Sequence, residues 1–554
     1  MGGTIGALAL ADFRERRRRP AYLVVLLGTL ALGLLAAPVG AGGAGGASTW
    51  QIFQVSGYRG LYTSGYVGTV TALGGAVWLA LAGFGITRGT VTGDERSGVG
   101  QILAATPMTR VSYLLGKFCG NLLLLGSMLL ALAVTAVGVQ LLKGESYSVD
   151  AVRLLLPFVL VTLPLLAFVA ACAVLFDTVP GLRGGVGALV WFVVWLVGVT
   201  ASQASGGYDL LSMSRIGASM RRAIESAGHP ADAVRFGVGL TSGDKTPVVF
   251  EWSGLGPGDL GPGVQGGGDL GGGVLGGGPL ANAGLLTVGS LVVCLLAVPW
   301  FRRFDPSGRV NAAGVVSVVS VVLPAGSAGA AQDEPAPAAG PGASFGLDPA
   351  LMTPPRMGSS FLPALVGELR VLLRWMRLWW VGALALAVIA AIVPIEDVSH
   401  PVLAVSMLWP VLLWSRMGNH AGAGSIDDLL AACPAAGRRL LAALLGGIGV
   451  ALAVSVVPVV RLTAAGDTGA AVAALAGALV VPSLAVLCGI VSRGPRLFQA
   501  LYPLLWYAMS NRIAEVDYLG VVPDRGPAPV AVAAAAVVLA LAALGVDGLR
   551  RANR

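Results

Sequence analysis

Apolar runs of about twenty residues, separated by polar breaks, recur along the whole chain. A helix needs roughly 20 apolar residues to cross the hydrocarbon core of a bilayer, and twelve runs are candidates. In the first half they cover 21–38, 67–87, 114–142, 154–176, 186–204 and 284–301. In the second they cover 379–395, 402–417, 440–460, 470–491, 497–511 and 528–546, the eleventh being short and interrupted by Pro503. The pattern predicts an all-α polytopic membrane protein of about 12 transmembrane helices. The start, "RERRRRPAYLVVLLGTLALGLLAAPVGAGGA", has the layout of a secretory signal. The apolar positions Ile5, Leu8 and Phe13 ahead of the arginines, and the eleven runs that follow, make an uncleaved anchor the expectation.

Charge fixes the expected orientation. With both termini inside, inner segments hold 25 of the 36 Lys+Arg. Of the other 11, five lie in one outer loop too long to weigh in the positive-inside rule. The two halves also echo each other. "LAATPMTR" (Leu103–Arg110) matches "LAACPAAGR" (Leu430–Arg438), and "PGLRGGVGALVWF" from Pro180 aligns with "PRLFQALYPLLWY" from Pro495, placing Trp191 opposite Trp506. "ADFRERRRRPAY" before the first run resembles "GELRVLLRWMRLWW" before the seventh. The expected organisation is two six-helix pseudo-repeats, 1–304 and 361–554, joined by an inner Ala/Pro/Gly-rich linker, 305–360. An outer loop, 205–283, opens with a surface-lying amphipathic helix (Leu210, Met213, Ile216, Met220 and Ile224 on one face). It closes with a Gly-rich tract, 253–279, read as a spacer.

Composition narrows the function. Residues are 55% hydrophobic and 12% charged, half the charge of an ordinary soluble domain. The net charge of +8 comes from arginines at run ends, which points to topology and away from nucleic acid. The five cysteines, Cys119, Cys172, Cys294, Cys433 and Cys488, form no C-x-x-C pair, and with three histidines no metal site is expected. No Asp, Glu, His, Lys or Arg falls near the middle of any run, which disfavours ion coupling and intramembrane hydrolysis. The nearest approach to a P-loop, "GLTSGDKT" (Gly239–Thr246), puts Asp244 where the second glycine should stand, so ATP hydrolysis is expected on another polypeptide.

One inner break is longer than a turn requires: "GDERSGVGQILAATPMTRVSYLLGK", Gly93 to Lys117. Val99, Ile102, Leu103 and Thr106 fall at helical spacing and give one apolar face suited to a partner's groove. Asp94, Glu95 and Arg96 sit at the helix's N-terminal approach, where acidic groups suit the helix dipole and are expected to remain free for a salt bridge. Pro107 stops the helix, so a push on it would move the third span as a lever. A helix resting on lipid headgroups is the plainer alternative. This stretch resembles the first cytoplasmic loop of ABC-2 type exporter permeases: an acidic-basic cluster, a short coupling helix, a "TP-x-[ST]-R" turn (Thr106-Pro107-Met108-Thr109-Arg110) and "GK" (Gly116-Lys117). The resemblance extends to "FRRFDP" (Phe301–Pro306). It fades in "GAGSIDDLLAACPAAGRR", which keeps Asp427, Asp428, Leu430 and Pro434 but not the Thr.

The resemblance implies a fused two-half permease of a bacterial ABC exporter with cytoplasmic coupling helices and in-plane elbow helices. The stripe Leu362, Leu365, Val366, Leu369, Leu372, Leu373 and Met376 is the second elbow. It also implies a cytosolic ABC ATPase partner in two copies, carrying ATP and Mg that this chain does not bind itself. Membrane lipid is a further partner, nucleic acid is not, and the location is the bacterial cell membrane with both termini cytoplasmic. Spans two and five of each half would face each other across the pathway. That makes Trp191, Phe192, Trp195, Trp506 and Tyr507 candidates for stacking on an apolar or amphipathic drug, antibiotic or lipid-like metabolite; ordinary helix packing would explain them equally. Two other readings remain. A major-facilitator transporter would explain "GDERSG", although Val99-Gly100 stands where that family's trailing basic pair belongs. A non-transporting partner would relay ATPase strokes outward through 205–283.

Overall fold

The structure, a computed structural model, describes residues 2–36, 51–55, 58–143, 145, 148–203, 209, 211–230, 236–241, 246–250, 279–301, 361–373, 377–395, 398–418, 436–511, 516–522 and 526–552. Helices dominate. In the first half they are α1 (Gly2–Arg16), α2 (Pro20–Ala36), α3 (Ser64–Trp78), α4 (Phe84–Thr87), α5 (Thr90–Ser97), α6 (Val99–Ala104), α7 (Arg110–Lys143), α8 (Ala151–Pro157), α9 (Leu163–Thr178) and α10 (Gly185–Gln203). Then come α11 (Met213–Ser226) and α12 (Pro279–Leu296). The second half has α13 (Phe361–Leu373), α14 (Arg377–Ile392), α15 (Leu403–Leu408), α16 (Val411–Trp414), α17 (Ala436–Ala464), α18 (Thr468–Ser492), α19 (Arg496–Ser510) and α20 (Pro529–Ala552).

A helix covers each of the twelve apolar runs. Among the described residues seven helical stretches are long and apolar enough to cross a membrane: Ser64–Glu95, Arg110–Leu142, Ala151–Thr178, Gly185–Gln203, Gly437–Ala464, Thr468–Ser492 and Pro529–Arg550. The chain is therefore a multi-pass, all-α membrane protein in its bulk. Pro20–Leu34, Leu280–Leu296, Trp379–Ile392 and Leu403–Trp414 are apolar but shorter. Among the described residues three π turns widen the helices, at Leu79–Gly83 between α3 and α4, at Phe158–Thr162 between α8 and α9, and at Val398–Val402 before α15. Such turns leave carbonyls without their usual helical partner; the first supplies an acceptor to the site below, and Ala404, just after the third, supplies another.

The packing of the first half recurs in the second. α1 lies on α7 as α13 lies on α17, and α12 packs on α9 as α20 packs on α18. Glycines permit the first of these contacts. A side chain at Gly116 would meet Leu8, and one at Gly120 would meet Asp12 and the Ala9 carbonyl, the close backbone approach that small residues provide. The two halves share one continuous apolar core. They meet where α19 crosses α4, with Ala500 lying directly over Gly85.

The loop 205–283 departs from expectation. α11 carries the stripe Met213, Ile216, Met220 and Ile224, but it does not lie on a membrane surface. All four residues are buried against the protein, where α11 packs on α10. Burying that face against Leu211 and neighbouring core residues removes the same apolar area from water that a bilayer would. Short strands join it, so this region is not wholly helical: β1 (Gln51–Val55) pairs antiparallel with β3 (Phe236–Thr241), and β2 (Tyr58–Gly60) pairs parallel with β4 (Thr246–Val248). The linker 305–360 and the Gly-rich tract up to 278 lie outside the described residues, as does Leu210.

Candidate functional site

The segment after α4 forms two short helices: the expected one from Val99, and a further one over the acidic-basic cluster ahead of it. Gly98, in the left-handed conformation (φ 77°), breaks the chain between α5 and α6. α5 begins after Gly89, also left-handed at φ 79°. Its first amides are held by Asp177 from the end of α9: Gly89 N–H and Thr90 N–H each donate to that carboxylate at 2.7 Å. A carboxylate on the free N–H groups of a helix start is favourable both as a cap and against the helix dipole.

Asp94 and Glu95 occupy α5, and they are not free. Asp94 forms an ion pair with Lys117 Nζ at 2.7 Å and accepts a hydrogen bond from the Tyr113 hydroxyl, also at 2.7 Å. Lys117 is 1% exposed and pairs with Asp12 of α1 at 2.9 Å as well. Asp12 also binds Arg16 at 3.0 Å, and Arg16 donates to Asn121 Oδ1 at 2.6 Å. Burial pulls the Arg16 guanidinium below its ordinary value, and Asp12 pulls it back. Glu95 reaches Arg183, between α9 and α10, at 3.3 Å. The expectation of a free acidic pair fails for a physical reason: a buried ammonium needs compensating carboxylates, and these residues supply one of them. The Arg96 side chain lies outside the described residues.

α6 leaves two apolar side chains in the open beside Gln101. Ile102 is 70% exposed and Val99 43%, while Leu103 turns inward and packs on the core. Thr106 Oγ1 donates to the Leu103 carbonyl at 2.7 Å, closing the last turn, and Pro107 stands exposed before α7. The anchoring reaches further than the third span. Arg88 donates to the carbonyls of Leu182 and Gly184 at 2.7 Å, so α5 is tied both to α7 and to the start of α10. Sequence reasoning missed Asp12, Arg88, Asn121 and Asp177. The only available signal was a lone carboxylate closing an apolar run, as Asp177 does. The equivalent residues of the second half, Asp427, Asp428, Leu430 and Pro434, lie outside the described residues.

The five aromatic candidates do come together. Phe192 meets Trp506 edge-on at 5.8 Å between ring centroids, and Trp195 meets Tyr507 edge-on at 4.9 Å. All five are buried. Their indole N–H groups are used alike in both halves. Trp191 donates to the Ala80 carbonyl at 2.9 Å within one π turn, and Trp506 donates to the Ala404 carbonyl at 2.7 Å just after another. Trp195 donates to the Val77 carbonyl at 2.9 Å. Phe192, Trp195, Trp506 and Tyr507 thus form the ring contacts between α10 and α19, while Trp191 stacks on Phe84 at 4.3 Å.

Residues 7–206 match the family model described as ABC-2 family transporter protein. That stretch, a little over a third of the chain, is similar to the ABC-2 transporter family and supports an ABC-2 type permease. No curated protein and no solved structure matches it significantly. The matched stretch runs from α1 to the end of α10, so it contains the α5–α6 segment, its Asp12–Lys117–Asp94 anchor and three of the five aromatic residues.

Proposed function

We propose that this chain is the transmembrane permease subunit of an ATP-driven ABC exporter, with two six-helix halves fused and joined by the 305–360 linker. A cytosolic ABC ATPase docks on 88–112 and a second copy on 418–437, bringing ATP and Mg. Both termini lie on the cytoplasmic side of a bacterial cell membrane. The cargo is apolar or amphipathic and passes between α10 and α19, where Trp191, Phe192, Trp195, Trp506 and Tyr507 close the path at rest.

The observation that carries this reading is the exposed ridge of Val99 and Ile102 on a segment bonded at both ends to the membrane helices. An apolar ridge of this kind fits a groove on a partner. Ion pairs and caps through Asp94, Glu95 and Asp177 make its movement a movement of α7 and α10 together. A rigid connection is what an ATPase stroke needs, because packed elements shift between discrete arrangements and do not deform continuously. The recurring packing of the two halves, and the matched use of Trp191 and Trp506, support the duplicated layout.

The test is co-purification of the full chain with a cytosolic P-loop ATPase, sought first in the adjacent reading frame, followed by ATP-dependent transport in vesicles holding both. Association that survives Ile102→Asp and Val99→Asp, with the permease folded, would refute docking at α6. Transport driven by a proton gradient without any ATPase would favour a facilitator. ATP hydrolysis coupled to the permease without solute movement would favour a relay.

A further inference from the structure

Where the two halves meet, at the end of the bundle that holds α1 and α5, lies a cavity of about 730 Å³, within the range of ligand sites. Seven arginines line it, drawn from the α1–α2 turn, the α4–α5 turn, the loop before α10, the end of α16 and the α18–α19 turn. Three are compensated: Arg16 by Asp12, Arg19 by Glu15 and Arg183 by Glu95. Arg88, Arg416, Arg493 and Arg496 pair with no carboxylate among the described residues. The single acidic residue on the wall, Asp177, caps the amides of Gly89 and Thr90 and acts through space on Arg16, Arg88 and Arg496, one carboxylate against four arginines that have no ion pair of their own.

Topology alone does not account for this. The positive-inside rule places arginines at helix ends and is indifferent to whether they converge. Within the run Arg14–Arg19, Arg14, Arg17 and Arg18 point elsewhere, and only Arg16 and Arg19 reach the wall. Arg496 crosses from the second half to lie against Gly89 of the first, so closely that any side chain at Gly89 would strike its guanidinium. Gathering more cations than carboxylates costs self-repulsion, which an oxyanion would relieve; guanidinium forks match phosphate and carboxylate geometry with two parallel hydrogen bonds. The remaining wall is mixed: Ile86, Val186, Leu412 and Leu497 supply an apolar part, and Thr92, Ser415, Ser492 and Gln499 supply neutral polar groups. At 1.5 Å per helical residue, Phe192 stands about 9 Å beyond Val186, and Trp506 about 15 Å beyond Arg496.

We propose that the cavity binds the oxyanion head group of an amphiphilic cargo, with its apolar tail directed along α10 and α19 toward the aromatic seal. This rests on the exporter reading for its export step, but not for binding. It narrows the cargo from any apolar molecule to an anionic amphiphile bearing phosphate, sulfate or carboxylate. Asp177 lines the cavity and also caps α5, so cargo site and coupling segment share a residue.

The test uses the full-length protein in phosphatidylcholine nanodiscs, titrated with dodecyl phosphate and, separately, with dodecyltrimethylammonium. Dodecyl phosphate is expected to bind and the cation is not. The triple variant R416Q/R493Q/R496Q should weaken dodecyl phosphate by roughly tenfold or more, the effect of losing a single charge-assisted hydrogen bond. The triple variant R14Q/R17Q/R18Q, with the same loss of net charge outside the cavity, should leave it unchanged. Should the cavity variant fail to fold, R416Q alone, at an exposed position, carries the comparison. Equal weakening by both triple variants would overturn the site in favour of general surface attraction. Displacement by inorganic phosphate at matched concentration would overturn the requirement for a tail, and displacement by phosphatidylglycerol doped into the disc would overturn the assignment to cargo in favour of bilayer lipid. Dodecyl phosphate binding together with a failure of any ATPase to co-purify with the permease would refute the exporter reading and keep the site; a co-purifying ATPase with no dodecyl phosphate bound would refute the site alone.

Discussion

Removing Lys117 is the most informative single perturbation. Its ammonium lies 2.9 Å from Asp12 and 2.7 Å from Asp94 in a site where the lysine side chain is 2% accessible. Lys117→Met keeps most of the volume and deletes the charge. Asp12 retains Arg16; Asp94 keeps only the Tyr113 hydroxyl among its described partners. Breaking a buried pair by removing one member costs about 3–5 kcal/mol, because the carboxylate left behind is desolvated without compensation. Glu95→Ala breaks an ion pair whose side chains are 32% and 21% accessible, at 3.3 Å, and such a pair contributes about 1 kcal/mol at most. The assay is denaturant unfolding of the purified permease in mixed micelles, followed by tryptophan fluorescence. Lys117→Met should lose several times the stability that Glu95→Ala loses. The double variant Lys117→Met/Asp94→Asn should recover about 1–3 kcal/mol of that loss, the coupling expected of residues in one network. Equal losses for the two single variants, or no recovery in the double, would refute the idea that the buried triad anchors α5.

Ile102→Asp, at an exposed position, should abolish ATPase association while shifting unfolding by less than about 0.5 kcal/mol, as checked by pull-down and melting in parallel. Asp177→Asn keeps the shape but weakens the charged acceptor on two amides; a cost of about 1 kcal/mol and a larger fractional loss of permease-stimulated ATP hydrolysis are expected, measured in the same vesicles. Gly89→Ala adds a side chain where φ is 79° and the Arg496 guanidinium stands, so it should destabilise by about 1–3 kcal/mol and weaken contact between the halves, read by cross-linking α4 to α19. Cysteines replacing Trp195 and Tyr507, whose rings stand 4.9 Å apart, leave a gap wider than a direct disulfide bridges; a bis-methanethiosulfonate linker long enough to replace the two rings should join them and stop transport until reductant cleaves it, and full transport in the cross-linked form would remove the pathway from this seam.

The sequence by itself determined the helices, because a bilayer leaves the chain few options: apolar runs must satisfy their backbone groups internally. It also showed the apolar positions of α6, the break before Pro107 and the equivalence of Trp191 and Trp506 between the halves, since those can be read from short stretches of sequence. It could not determine which charges face one another. Asp94 and Lys117 are 23 residues apart, and Asp12 is more than a hundred from Lys117; only the packing of α1 on α7, through Gly116 and Gly120, brings them together and takes the acidic pair away from the surface. The same holds for α11, whose apolar stripe was legible but whose partner was protein and not lipid. The arginine cavity is the plainest case. Run-end arginines read locally as topology signals, and they become one site only after α19 crosses α4 and carries Arg496 onto Gly89, because charge acts through space and its convergence depends on the tertiary fold.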